Sequence, residues 1–86
     1  MPNYQDKILK ITIEFKFKTP KSYSKARRNQ ALNGEILPRQ DIDNLTKSVL
    51  DALNEVAYAD DKTIKEIHAW KRYAEEDEIV IKIETL

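Results

Sequence analysis

With 86 residues, no cysteine and one histidine, the chain excludes a disulfide framework, a thiolate zinc site and a histidine-rich one, so any metal must be held mainly by oxygen. Its 41% hydrophobic and 35% charged content at zero formal net charge suits one soluble globular domain over residues 1–86, with residues 1–6 a flexible N-terminus, rather than a disordered tail. A domain of this size buries only roughly 60% of the surface its unfolded chain exposes, so association with a second copy is expected. No apolar signal core opens the chain and no segment approaches the ~18 apolar residues of a membrane span, which makes a cytoplasmic setting the expectation.

Residues 9–17 alternate, with Leu9, Ile11, Ile13, Phe15 and Phe17 on one side and Lys10, Thr12, Glu14 and Lys16 on the other, the pattern of a strand with one buried face. Thr19-Pro20 ends it. Ser22-Tyr23-Ser24 can cap a short basic helix running to about Leu32, where Asn33-Gly34 supplies a stop. Pro38 favours an extended approach to Asp41. Ile42, Leu45, Val49, Leu53 and Val56 then follow helical spacing, which predicts a helix over about 42–54.

Beyond it, Val56-Ala57-Tyr58-Ala59 is β-compatible and Asp60-Asp61-Lys62 reads as a turn. Residues 64–73 read as a strand whose alternation is broken, because Ile64 and Ile67 fall on opposite faces, so a bulge fits there. Ala74-Glu75-Glu76-Asp77 makes a reversal, and Ile79, Ile81 and Ile83 alternate in a last strand, giving a terminal β-hairpin. The predicted fold is α+β: a small mixed or antiparallel sheet of about three strands, one long helix packed on one face, a short basic helix, and edges that a dimer would cover.

Two features carry chemistry. Charge is uneven, since residues 15–34 hold no acid but contain Lys16, Lys18, Lys21, Lys25, Arg27 and Arg28, whereas Glu75-Glu76-Asp77-Glu78 is an acidic run. That reads either as two solvated segments or as a basic surface for nucleic acid. The second feature is Asp41-Ile42-Asp43-Asn44-Leu45-Thr46-Lys47 followed, after one helix, by Asp60-Asp61. In an extended backbone Asp41 and Asp43 would point to one side, and magnesium takes such oxygen ligands from different elements, with Asp61 able to supply a third.

Lys47 lies one helical turn after Asp43, where its ammonium could balance phosphate charge. Each residue also has a purely structural reading. Asp43 suits a helix N-cap, Lys47 a surface ion pair with Asp43, and Asp60 and Asp61 a turn. An EF-hand is excluded, because Thr46 stands at its glycine position and Ala52 at its bidentate glutamate position. His68 reads as a strand histidine, and Trp70 and Tyr73 as core or interface residues rather than base-stacking platforms.

Taken together, Asp41 to Lys47, Asp51-Ala52-Leu53-Asn54 and Val56 to Ile64 resemble the RusA family of Holliday junction resolvases, in a short form lacking the usual N-terminal segment. Pro20 to Lys25 through Asn33-Gly34-Glu35 is similar to the Bacillus and phage branch. The resemblance implies Asp41, Asp43 and Asp61 as magnesium ligands, with manganese a substitute, and Lys47 as the catalytic lysine. It also implies a bacterial or phage homodimer that nicks opposing strands of a four-way DNA junction during recombination and repair. Lys21, Lys25, Arg27 and Arg28 would then track DNA phosphates. The alternative is a non-catalytic DNA-binding or regulatory module of the same fold.

Overall fold

The computed structural model describes residues 7–54, 56 and 61–86, and of Asp61 the backbone alone. The alternating segment forms strand β1 (Leu9–Lys18), whose Leu9, Ile11, Ile13 and Phe15 side chains are at most 1% exposed. Burying each contributes about 1.5–3 kcal/mol, which makes this strand the axis of the fold. It is central, flanked by β2 (Ile64–Ala74) in parallel and β3 (Glu78–Thr85) antiparallel, in the order β2-β1-β3. The architecture is the expected α+β one, with a mixed three-stranded sheet and two helices.

The expected hairpin does not form: β2 and β3 are adjacent in sequence but lie on opposite sides of β1. Their connection arches over the end of β1. There the Lys18 N–H donates to Asp77 Oδ1 (2.7 Å) and the Thr19 N–H to the Ala74 carbonyl (3.3 Å). The most regularly apolar strand thus takes the position with two neighbours, where its whole face can be covered. The irregularity of β2 is a bulge, since Leu9 pairs with Ile64 but Lys10 with Glu66. The extra residue brings Ile64 and Ile67 to the same face as Leu9 and Ile11.

The β1–β2 crossover carries both helices. Helix α1 (Lys25–Leu32) starts at Ser24, whose hydroxyl accepts from the Arg27 N–H (3.2 Å), and buries only Ala31. Beyond its end Gly34 adopts φ +86°, a left-handed conformation that glycine takes without a Cβ penalty. Helix α2 (Ile42–Leu53) lays Val49, Leu45, Leu50 and Leu53 against the apolar face of β1.

Its N-cap is Asp41 rather than Asp43. Ile42 is already helical, so Asp43 sits in the first turn, and the extended geometry expected for Asp41 and Asp43 does not hold. Val56, in the stretch read as β-compatible, is an exposed turn residue, and Ala57-Tyr58-Ala59 lies outside the described residues.

α2 covers β1 and β2 more fully than β3. Ile79 and Ile81, on the same face as Phe15 and Ile13, remain 56% and 39% exposed. The opposite face is polar and centred on Glu14. Its Oε2 accepts from Arg72 Nε (2.7 Å) and Trp70 Nε1 (3.0 Å), and Lys16 bridges to Glu78 (2.9 Å). The Arg72 hydrogen bond holds the Glu14 carboxyl below its usual range against the opposing effect of burial, and the Trp70 bond helps.

Trp70 therefore belongs to this open polar face and not to the core, whereas Tyr73 is buried. His68 is an exposed strand residue beside Glu66 (3.3 Å). Among the described residues no helix is long and apolar enough to cross a membrane.

Candidate active site

The start of α2 is fixed from two sides. Leu45 N–H donates to the Asp41 carbonyl (3.1 Å), closing the first helical turn, and Lys71 Nζ of β2 donates to the Gln40 carbonyl (2.7 Å), tying the approaching loop to the sheet. Asp41 is extended at φ −72°, ψ 125°, and its carboxylate makes no capping hydrogen bond. Aspartate at this position ordinarily accepts from a first-turn N–H, so a carboxylate that does not is uncommitted to the helix. Asp43, in the first turn, lies near the positive end of the helix dipole, which favours its charge.

One turn separates Asp43 from Lys47 and another separates Lys47 from Asp51. All three line an open cavity of about 510 Å³ with Thr46, bounded on the β2 side by Ile67 and Ala69. Among the described residues Asp43 and Lys47 form no ion pair. Helical spacing thus brings the two groups to one cavity without neutralising them on each other. Asp51 is not among the candidate site residues of the sequence, although its spacing of four from Lys47 and eight from Asp43 is a readable signal.

Asp61 opens a 3-10 turn (Asp61–Thr63) that leads into β2, the strand supplying the far wall of the cavity. Its side chain and all of Asp60 lie outside the described residues. Among the described residues no three acidic or histidine side chains gather as a metal cage.

The basic candidates Lys21, Lys25, Arg27 and Arg28 are exposed, Lys21 in the turn before α1 and the others in its first turns. No acid occupies that first turn. Cations at this end oppose the helix dipole at a cost of some tenths of a kcal/mol, so this end of the protein concentrates positive potential. Arg27 lies over the Tyr23 ring, 4.7 Å from its centre, and Tyr23 meets Tyr73 edge to face at 6.1 Å. This aromatic contact had no sequence signal, because its partners are far apart in the chain and meet only where α1 packs on β2.

Fold and cavity define a small α+β protein that presents acids and a lysine along one helix, beside a second helix rich in exposed cations. The chain belongs to the endodeoxyribonuclease RusA family, whose model matches residues 2–84. It is also 37% identical over 64 residues to the uncharacterized protein YqaN of Bacillus subtilis (strain 168), a match covering 72% of this chain and 45% of that protein. The chain thus spans less than half the length of this curated relative. No solved structure matches it significantly.

Proposed function

We propose that this chain acts as a magnesium-dependent, structure-selective endonuclease that resolves four-way DNA junctions by paired phosphodiester hydrolysis. The observation that carries this reading is the placement of Asp43 and Lys47 on one open cavity, directly after an Asp41 carboxylate that does not cap its helix. These donors are hard oxygens open to solvent, which fits magnesium, with manganese a substitute. Asp41, Asp43 and Asp61 would hold the ion. When bound, it supplies Lewis acidity toward a phosphodiester oxygen.

Lys47 stabilises the negative charge that grows on the phosphate during displacement, and its freedom from an Asp43 ion pair leaves its ammonium available for that task. Lys21, Lys25, Arg27 and Arg28 hold neighbouring backbone phosphates, giving affinity without base choice. Exposed Ile79 and Ile81 support a homodimer, and two-fold symmetry would set two such cavities against a nearly two-fold junction. Recombination and repair in a bacterial or phage-infected cytoplasm is the corresponding setting.

The test is cleavage of a synthetic four-way junction in magnesium, with linear duplex and Asp43→Asn run alongside. Paired nicks by the wild type, little cutting of duplex and none by a folded Asp43→Asn variant are expected. No product from folded wild type at any magnesium concentration overturns the reading. If junction binding nonetheless persists in both proteins, the chain is a non-catalytic DNA-binding module.

A further inference from the structure

We propose that the cleft between the lead-in to α1 and the loop before α2 is a phosphate subsite, in which the Arg27 and Arg39 guanidinium groups and the Tyr23 hydroxyl grip a DNA backbone phosphodiester. The identity of the phosphate as one of DNA rests on the nuclease reading. The site itself rests on the cleft.

A cavity of about 350 Å³ is lined by Pro20, Ser22, Tyr23, Arg39, Gln40 and Tyr73, with no carboxylate in its wall. Arg27 stands at its edge over the Tyr23 ring. Stacking of this kind holds the guanidinium over the ring, and its fork carries more N–H donors than the Tyr23 oxygen takes up, which leaves others for a phosphate. Neither Arg27 nor Arg39 makes an ion pair among the described residues, whereas Arg72, on the polar sheet face, does.

The electrostatics agree with an anion site. The Tyr23 phenol is held below its usual range first by a hydrogen bond from Tyr73, then by one from Arg27 and by the charges of Arg27 and Arg39. Negative charge is therefore favoured at that oxygen. Tyr73, the donor of the pair, is pushed the other way. Position also agrees, because Gln40 in the cleft wall directly precedes Asp41 and its carbonyl is pinned by Lys71. A phosphate seated here would flank the proposed reaction centre. Arg39 lies outside the basic stretch that sequence had singled out.

A merely structural role for these side chains would alter stability and leave anion binding untouched, so the test reads anion binding. The isotopically labelled full chain is titrated with inorganic phosphate while the side-chain N–H signals of Arg27 and Arg39 are followed by NMR. Saturable shifts with a dissociation constant on the order of millimolar are expected, as suits a single small anion, and Arg39→Gln should abolish them. In four-way junction binding, Arg39→Gln should lower the salt slope by about 0.9 for each subunit bound, one phosphate contact per subunit. Lys82→Gln on β3 should leave the slope unchanged.

Absent shifts, shifts insensitive to Arg39→Gln, or a wild-type salt slope in that variant each overturn the subsite. The two proposals fail separately. Phosphate shifts at this cleft in a chain with no junction affinity would sink the nuclease and keep the subsite. A chain that cuts junctions with an unchanged slope in Arg39→Gln would do the reverse.

Discussion

The two helices of this protein are held in opposite ways. Helix α1 buries a single alanine and relies on its ends: the Ser24 hydroxyl closes its first turn, Gly34 releases the chain beyond its last, and the Tyr23–Tyr73 contact fastens it to β2. Helix α2 relies on its side, where a leucine and valine stripe meets the apolar face of β1, and its cap carboxylate makes no capping bond. Each arrangement frees what the other uses. End-fastening leaves the α1 surface open for Lys25, Arg27 and Arg28, and side-fastening leaves the N-terminus of α2 open for Asp41 and Asp43.

That contrast can be broken most forcefully from beneath α2. Phe15→Ala removes a fully buried ring from the surface on which α2 rests and should cost about 3–5 kcal/mol in urea unfolding, enough to unfold so small a chain. A finer comparison sets the caps against each other. Ser24→Ala should lose about 1 kcal/mol, whereas Asp41→Ala should lose no more than a few tenths, because no capping hydrogen bond disappears. Equal losses in the two variants would mean that Asp41 caps after all.

The smallest effect lies in the α1 fastening. Ultraviolet titration in alkali should show one tyrosine ionising below the usual phenol range and one above it, in two steps belonging to the Tyr23–Tyr73 pair. Tyr23 favours the folded state increasingly as pH rises through its lowered value, and Tyr73 works against it as pH climbs toward its raised one. Tyr73→Phe should move the lower step upward, since it removes the largest influence on Tyr23.

Local periodicity made α2 and all three strands legible in the sequence, cap and stop residues did the same for α1, and the broken alternation at Ile64 and Ile67, which allows a bulge, corresponds to one. Strand order was not legible. The expected β2–β3 hairpin rested on adjacency, but pairing was decided by which strand could bury a whole face, a comparison between distant segments. At the site, the spacing of Asp43 and Lys47 carried over directly. The assignment of the cap was off by the two residues that separate Asp41 from Asp43, because aspartate is favoured both as a cap and in a first turn. Arg39, Tyr23 and Tyr73 stayed hidden because their cleft exists only once the lead-in to α1, the loop before α2 and the end of β2 have met.

The central position of β1 also sets the order in which the protein can be made. Leu9 pairs with Ile64 on one side and Thr85 on the other, so β1, made before either neighbour, has no partner in the sheet until the crossover and β2 have followed. Contacts this distant in sequence slow folding, and an apolar strand waiting with both edges open is prone to pair with a neighbouring chain. A ribosome stalled within β2 would therefore hold its most aggregation-prone segment exposed.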